Sequence, residues 1–358
     1  MFFYYISVFI AAFLTTLIIT PLTINLARQL RLLDNKNIRR HPAHTHKGTI
    51  PRAGGVPIYA GILLATLFFI PLNKVVIGML LGGFLITILG FFDDKYDLSP
   101  YLRFFLNIVV AGITIMFGLG IPYIGNPFDG VIRLDTLVWT VNLFGTHNIL
   151  VIADTFAIIW LVALMNFVNW SKGIDGQMPG FVAISSFFLG ILALRFSAHD
   201  ITTEHIAALS FIVSGSFLAF LLFNVYPQKI MPGYGGGALA GFSLGVLSIL
   251  SFAKVGTLML VLSMPFFDAM YVIIRRLKNH RSPFLGDAGH FHHRLLQIGW
   301  GRRRIAAFYW LVSVLFGFSS LFLYGIEKLL AIGVVVVFLA FFIVITNKIK
   351  TIKSEQEV

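Results

Sequence analysis

Two adjacent acids, Asp93 and Asp94, end an apolar run and are followed by Lys95-Tyr96-Asp97. On a helix, neighbouring side chains point about 100° apart, yet both can reach the depth of lipid head groups, where phosphates and a divalent ion would be found. Acids at the C-terminal end of a helix oppose the helix dipole, so a purely structural role explains them poorly. The pair is the first candidate for catalysis or metal binding.

Basic side chains in two segments could bind anions. Lys47 and Arg52 flank a proline turn and precede a glycine pair, where they could hold a lipid phosphate, although membrane orientation alone can also account for such charges. A second segment concentrates nitrogen donors within five residues. Because the chain lacks cysteine and the histidine spacing is not that of a zinc site, a diphosphate pocket is a better interpretation than zinc. This segment contains His290, His292, His293 and Arg294.

Amide side chains mark a third segment. Asn166 and Asn169 are three residues apart and share a helix face, just before a loop that carries Lys172 and Asp175. Amides inside a membrane span often hold helices together, so this pattern alone leaves both a binding and a structural role open.

A glycine-rich run forms the fourth segment. Asn224 and Lys229 precede Pro232-Gly-Tyr-Gly-Gly-Gly237. Such a run lets backbone amides approach phosphate oxygens, with Lys229 as the countercharge. It is not a Walker loop, because no Gly-Lys-Ser/Thr follows.

The elements that carry these residues must lie in a membrane. Of 358 residues, 58% are apolar and only 12% are charged, which excludes a soluble domain. Without cysteine, the redox compartment cannot be inferred. Apolar runs predict an all-α bundle of about eleven membrane helices, near 2–27, 54–72, 75–92, 102–124, 149–168, 180–195, 205–226, 238–253, 255–274, 305–324 and 329–347.

Charge placement predicts the orientation of these spans. With eleven spans, 22 of the 27 lysines and arginines fall on the side of Arg28–Arg52, which marks that side as cytoplasmic. The N-terminus is then outside and the C-terminus cytoplasmic, and nucleic-acid binding loses most of its support. The eighth and ninth spans, separated at Lys254, could instead be one kinked helix. Residues 1–347 form a single membrane domain and 348–358 a polar tail, while Val131–Thr140 alternates well enough for a short hairpin.

Together these segments resemble the polyprenyl-phosphate N-acetylhexosamine-1-phosphate transferases, a family of glycosyltransferases that includes the phospho-N-acetylmuramoyl-pentapeptide translocase. The matching elements are His-Lys-Gly-x-Ile-Pro-Arg-x-Gly-Gly at 46–55, Gly-x-x-Asp-Asp at 90–94, Asn-x-x-Asn at 166–169, Ile-Asp-Gly at 174–176, Asn-x-x-Pro-x-Lys-Ile at 224–230, and Ser-Pro-Phe-x-x-Asp-x-x-His-x-His-His at 282–293. The last element is most similar to the branch that uses UDP-N-acetylglucosamine.

The resemblance implies a phosphotransferase in the bacterial cytoplasmic membrane, with its active site facing the cytoplasm and a homodimer as one assembly. A polyprenyl phosphate would attack the β-phosphorus of a UDP-N-acetylhexosamine, release UMP and initiate a cell-envelope glycan, with magnesium assisting. Asp93 and Asp94 would bind and orient the metal, or one of them would deprotonate the acceptor, and Asp175 would be a third metal ligand. Substrate would contact Lys47, Arg52, Asn166, Asn169, Lys172, Asp175, Asn224, Lys229, Asp287, His290, His292, His293 and Arg294.

Two departures from the family pattern leave alternatives open. Tyr234 stands where the family has an aspartate, and Lys172 replaces the first acid of Asp-Gly-x-Asp-Gly. Magnesium could still be held by the remaining acids, Lys172 could replace part of its electrostatic work, or the chain could bind its ligands without turnover. A transporter of lipid-linked intermediates is a further alternative, in which Asp154 and Asp268 inside spans would line a pathway.

Overall fold

Helices form most of the chain, which confirms the all-α prediction. The computed structural model describes residues 1–35, 48–126, 128, 130–142, 146–194, 201–251, 254–283 and 289–356. Its helices are α1 (Phe2–Gln29), α2 (Gly55–Phe69), α3 (Lys74–Tyr96), α4 (Pro100–Met116), α5 (Val151–Trp170), α6 (Gln177–Leu194), α7 (Ile201–Asn224), α8 (Gly233–Leu250), α9 (Lys254–Val261), α10 (Ser263–Lys278), α11 (Phe291–Gln297), α12 (Arg302–Ser320) and α13 (Gly325–Gln356).

In the part of the chain that the structure describes, three small antiparallel sheets connect helices. They pair β1 (Leu33–Asn35) with β2 (Thr49–Pro51), β3 (Tyr123–Gly125) with β4 (Val131–Arg133), and β5 (Val138–Asn142) with β6 (Thr146–Leu150). The predicted hairpin within 131–140 is therefore wrong in its pairing. The alternating pattern identified extended segments, but β4 and β5 each pair with a strand outside that stretch, because alternation specifies which face a residue occupies and not which strand lies beside it.

Seven helices in the described parts of the chain are long and apolar enough to cross a membrane. They lie within α1, α3, α5, α6, α7, α8 and α13, and α2 and α4 are shorter apolar helices at two further predicted spans. The predicted break before Lys254 is present, since α8 ends at Leu250 and α9 begins at Lys254. The predicted ninth span is divided between α9 and α10. The chain is a multi-pass membrane protein, and the count of eleven spans stays a prediction.

The centre of the bundle is built from α7 and α8. Of the most apolar 18-residue stretch of α8, 89% is buried inside the protein, whereas the corresponding share in α1 and in α13 is 17%. The two terminal helices therefore present their apolar side chains outward, as expected of helices that contact lipid. α8 packs against α3 and α5, which carry the acid pair and the amide motif.

Local signals at the ends of α3 and α4 fix the position of the acid pair. Asn73 caps α3 by accepting a hydrogen bond from the Val76 backbone N at 2.9 Å. At the other end Asp97 adopts the left-handed conformation and donates its backbone N–H to the Asp93 carbonyl oxygen at 2.9 Å. Ser99 then caps α4 with Pro100 in its first turn, so that α4 turns back along α3.

Candidate functional site

Asp94 is held by donors from two other segments. Its carboxylate accepts hydrogen bonds from Arg52 Nε at 2.8 Å, from the Ala53 backbone N at 3.0 Å and from the Tyr234 backbone N at 3.3 Å. The last of these lies at the N-terminus of α8, where the helix dipole favours an anion. Gly233 has φ +67°, and a Cβ there would collide with the Asp94 carboxylate, so the position requires glycine. Asp94 therefore ties α3 to the segment before α2 and to α8.

Asp93 is the less constrained member of the acid pair, although it is fully buried. Its Oδ1 accepts a hydrogen bond from Arg103 Nη1 at 3.1 Å. Its Oδ2 lies 3.7 Å from Arg52 Nη2 and has no hydrogen-bond partner among the described residues. A buried carboxylate oxygen without a hydrogen bond is costly, so this atom is the position in the pair from which a ligand proton or metal ion would gain most.

Tyr234 lies beside the acid pair and carries two cations on its ring. Its hydroxyl donates a hydrogen bond to Asn107 Oδ1 at 2.8 Å. The Arg103 guanidinium lies 5.2 Å and the Lys172 amine 5.9 Å from the ring centroid, both within cation–π range. Asp93, Asp94, Arg52, Arg103, Lys172 and Tyr234 together are named the acid cluster.

Lys172 is anchored by a backbone acceptor and not by an acid. Its Nζ donates a hydrogen bond to the Gly233 carbonyl oxygen at 2.6 Å. Loss of solvation on burial, with a further contribution from the nearby Arg52 charge, lowers the pKa of Lys172 to about 7, and the two acids oppose this change only in part. The amine therefore loses its proton more readily than an ordinary lysine, and binding of an anion would favour its charged form.

The glycine run forms the first turn of α8 and not a separate loop, and contact of its amides with phosphate stays a prediction. Gly233 begins α8, and the Tyr234 amide binds Asp94. A Cβ at Gly90 would collide with the Gly235 backbone, and one at Gly55 would come 2.8 Å from it. The glycines permit backbone contact among α2, α3 and α8. A glycine-rich sequence indicates close approach, and here the approaching group is another helix.

The three histidines form a second cluster around α10 and α11. His290 Nδ1 lies 2.9 Å from Asp268 Oδ2, and the Phe291 backbone N donates to Asp268 Oδ1 at 2.8 Å. The His292 ring stacks on His290 with centroids 5.6 Å apart and an interplanar angle of 5°, and His293 is 4.4 Å from His292. These three histidines, Asp268 and Arg294 are named the histidine cluster.

His292 is the most deeply buried of the three, and both of its ring nitrogens have no hydrogen-bond partner among the described residues. Burial, together with the neighbouring His293 and His290, holds the pKa of His292 well below its usual 6.5. The ring is therefore neutral at pH 7 and has one N–H to donate and one nitrogen to accept. Arg294 is held against α10, where its Nη2 donates to the Tyr271 hydroxyl at 2.9 Å.

A loop of six residues, 171–176, connects the two clusters and is named the bridging loop. Lys172 reaches the acid cluster, and a Cβ on the next residue, Gly173, would collide with the His292 ring. Trp170, just before the loop, lies 6.2 Å from His290 between ring centroids. The structure therefore brings the acid pair and the histidines, which are about 200 positions apart in the chain, to the two sides of one short loop.

Two of the predicted binding residues, Asn224 and Asp175, make contacts that brace the bridging loop. The Asn224 amide accepts from the Gly176 backbone N at 2.9 Å and donates to the Ile230 carbonyl oxygen at 2.8 Å. Asp175 pairs with Arg302 at 3.4 Å, and Trp310 donates to the Gly176 carbonyl oxygen at 3.1 Å. Burial raises the pKa of Asp175, and Arg302 opposes the shift. The geometry gives Asn224 a structural role.

The remaining predicted residues differ in position. The Asn166 amide donates to the Val162 carbonyl oxygen of its own helix at 2.7 Å. Asn169 packs against Gly237, with its Oδ1 buried and without a hydrogen-bond partner among the described residues. The side chain of Lys229 is exposed. Lys47 and Asp287 lie outside the described residues.

Four residues of the site were not predicted from the sequence. Arg103 and Asn107 bind Asp93 and Tyr234 from α4, and Arg302 binds Asp175 from α12. Asp268, which binds His290, is predicted from the sequence only as a pathway residue of the transporter alternative. A signal existed for it, because a single acid within an apolar helix generally has a specific partner.

Comparison with known proteins identifies relatives along most of the chain. A family model described as glycosyl transferase family 4 matches residues 76–252. The chain is similar to a probable undecaprenyl-phosphate N-acetylglucosaminyl 1-phosphate transferase of Bacillus subtilis (strain 168), with 29% identity over 95% of this chain and 90% of that protein. It is also similar to a decaprenyl-phosphate N-acetylglucosaminephosphotransferase of Mycobacterium leprae, with 30% identity over 77% of this chain and 74% of that protein. A phospho-N-acetylmuramoyl-pentapeptide-transferase of Geobacillus kaustophilus is 26% identical over 87% of this chain and 95% of that protein.

Proposed function

The chain belongs to glycosyl transferase family 4, and from this premise we propose that it transfers N-acetylhexosamine-1-phosphate from a UDP-sugar to a membrane polyprenyl phosphate. An oxygen of the acceptor phosphate forms a new bond to the β-phosphorus of the UDP-sugar. The bond from that phosphorus to the bridging oxygen breaks, and UMP leaves. The relatives' names supply the substrate classes, an N-acetylglucosamine phosphate donor and a polyprenyl phosphate acceptor.

One observation supports this function above the others: the bridging loop contacts the acid cluster through Lys172 and the histidine cluster through Gly173. Transfer between two phosphates requires that two anions meet despite their repulsion, so cations and neutral donors must surround the meeting point. Amine and guanidinium groups on one side of the loop and imidazoles on the other meet that requirement.

The acid pair divides into an anchor and a reactive group. Asp94 positions Arg52 and the start of α8 through its three hydrogen bonds. Asp93 Oδ2, buried and without a hydrogen bond among the described residues, accepts the proton of the acceptor when the phosphate arrives as a monoanion. The acceptor phosphate has a second pKa near 6, so most of it is already dianionic at pH 7. Asp93 therefore has to accept a proton from only a small fraction of acceptor molecules.

The histidine cluster binds the nucleotide diphosphate. His292 is neutral and buried, and Asp268 fixes the orientation of His290 through Nδ1. A neutral imidazole donates one N–H to a phosphate oxygen without the cost of burying a charge. Lys47 holds the lipid phosphate in this proposal, as the sequence predicts, and Asp287 belongs to the same segment as the histidines.

The membrane arrangement completes the proposal. Eleven spans place the loops after spans one, three, five, seven and nine on the side that carries 22 of 27 basic residues. The N-terminus is then outside, the C-terminus and the active site face the cytoplasm of a bacterium, and residues 1–347 form one membrane domain. Accessibility labelling of single cysteines introduced at the two ends of α3 would test this orientation in a chain that has no cysteine of its own.

Magnesium fits the described part of the site poorly. Asp94 is engaged by three donors, Asp175 is paired with Arg302, and no three acidic or histidine side chains of the described residues are grouped as metal ligands. In the acid cluster two carboxylates face two guanidinium groups and one amine, so a dication would find no surplus negative charge before substrate binds.

The decisive assay measures release of UMP from radiolabelled UDP-N-acetylglucosamine in detergent with added polyprenyl phosphate. Release that requires the lipid supports transfer. If substrate binds without any UMP release, the protein is a binding homologue and the proposal is wrong. Movement of a lipid-linked sugar across sealed vesicles without UMP release would identify a transporter.

A further inference from the structure

We propose, on the basis of the function above, that Lys172 is the catalytic cation of this site: its amine contacts the diphosphate of the UDP-sugar and neutralises the charge that develops on transfer, so that the reaction needs no divalent ion. Four observations carry this proposal: the charge balance of the acid cluster, the bonding of Lys172, the position of Tyr234, and the location of Lys172 next to His292.

The charge balance favours an anionic ligand. Arg52 is bonded to Asp94 at 2.8 Å and lies 3.7 Å from Asp93, while Arg103 is bonded to Asp93 at 3.1 Å. These contacts pair both guanidinium groups with both carboxylates. Asp34 also acts on Arg52, so the positive charge open to a ligand is that of the Lys172 amine, which in its protonated form attracts a diphosphate and repels a metal dication.

The bonding of Lys172 leaves its charge available. Its hydrogen bond is to a neutral carbonyl oxygen, that of Gly233, and the described residues contain no carboxylate within 4.0 Å of its Nζ. An amine has three donors, and this hydrogen bond uses one. A phosphate oxygen can therefore bind Nζ without first displacing an ion pair.

The position of Tyr234 removes it from metal binding. Its hydroxyl is turned to Asn107, and both side chains are buried. Its ring instead supports Lys172 and Arg103 through cation–π contacts. The phenol that occupies this position thus orients two cations. An aspartate there would add a negative charge next to Asp93 and Asp94. The cluster would then favour a metal dication over an anionic ligand.

The location of Lys172 suits contact with the diphosphate. Its backbone neighbour Gly173 lies against His292, which the proposed function assigns to the nucleotide. A nucleotide diphosphate that contacts His292 would therefore lie next to the loop that carries the amine. Groups preorganised at the site of developing charge contribute about a hundredfold to a thousandfold in rate.

The test compares UMP release in excess EDTA and in magnesium. Wild-type protein should keep its rate within about twofold in EDTA, and Lys172→Met should lose about a hundredfold or more in both buffers. Lys172→Arg should recover part of the loss, which separates missing charge from misfolding. Lys278→Met, the same change at an exposed lysine of α10, is the matched control and should leave the rate unchanged.

A second measurement reports metal binding without turnover. Titration with Mn²⁺, followed by electron paramagnetic resonance, should show no stoichiometric site in the wild type and a new site in the double variant Lys172→Asp, Tyr234→Asp. The same double variant should release UMP only with a divalent ion.

The two proposals fail separately. If the wild type releases no UMP in either buffer, the transferase function is wrong. If it releases UMP in magnesium and EDTA abolishes the release, the function holds and the role of Lys172 as a replacement for the metal is wrong. An unchanged rate in Lys172→Met also overturns that role.

Discussion

Replacing each acid of the pair by asparagine should separate the anchor from the reactive group. Asp94→Asn removes the charge that holds Arg52 at 2.8 Å and exchanges one acceptor oxygen for an NH₂ group that faces a backbone amide. Breaking a buried ion pair from one side costs about 3–5 kcal/mol. Because Asp93 stays 3.7 Å from Arg52 and compensates in part, we expect the low end of that range, about 3 kcal/mol.

Asp93→Asn should cost less stability. It removes one charged hydrogen bond, from Arg103, whose side chain is 25% exposed and can turn toward water. It also relieves the burial of a carboxylate oxygen that has no hydrogen-bond partner among the described residues. We expect a loss of about 1 kcal/mol. At about 2–4 °C per kcal/mol, the two variants should differ by about 4–8 °C in apparent melting temperature, and both should lose UMP release.

The assay is thermal unfolding in one detergent at one scan rate, since membrane proteins commonly unfold irreversibly. Asp97→Asn provides the matched control, because Asp97 is exposed, ends the same helix, and has a left-handed backbone that asparagine tolerates. Equal shifts for both variants, or a larger shift for Asp93→Asn, would refute the division of roles. Full UMP release by both would refute the assignment of chemistry to the acid pair.

Three further predictions concern the clusters. Tyr234→Phe removes the hydroxyl bonded to Asn107 at 2.8 Å and should lower the free energy of unfolding by about 1–2 kcal/mol, because it leaves a buried amide oxygen without that donor; an unchanged melting temperature would contradict this. The added methyl group of Gly173→Ala should collide with His292 and reduce UMP release about a hundredfold. Gly112→Ala is the control and should be neutral, because there is open space around Gly112. Equal rates in the two variants would show that the bridging loop does not position the site. Because the folded-state pKa of His292 lies well below 6.5, the unfolded chain binds more protons just under that pH. Thermal stability should therefore fall as the pH drops below about 6.5, and a His292→Gln variant that falls as steeply would refute the assignment.

The sequence predicts which residue types form the site better than it predicts which partners they contact. The acid pair, the histidine segment and Lys172 were all predicted to take part, and the structure groups them around the bridging loop. Arg52 was predicted to bind substrate, yet it is bonded to Asp94. The residue type of Arg52 gives the sign of its charge. Whether that charge binds a substrate or another side chain depends on which helix end lies beside it in the fold.

The glycine run and the paired strands could not be predicted for a related reason. A local sequence pattern indicates which backbone conformation or close contact a segment permits. The segment that packs or pairs with it comes from elsewhere in the chain. Gly235 permits close approach, but only the packing of α3 makes Gly90 the approaching group. Similarly, the alternation of 131–140 indicates extended chain, and the strand β3 that pairs with β4 lies before that stretch.

The bridging loop has a consequence for how two substrates follow one another. Successive α carbons are about 3.8 Å apart, so the residue beside the imidazole and the residue that carries the amine cannot move independently. A donor that displaces His292 will push the Gly173 backbone and with it the reach of Lys172 toward the acceptor. We expect an ordered sequential mechanism, in which arrival of the nucleotide sets the affinity for the lipid, and initial-rate patterns with competing UMP would reveal which partner enters first.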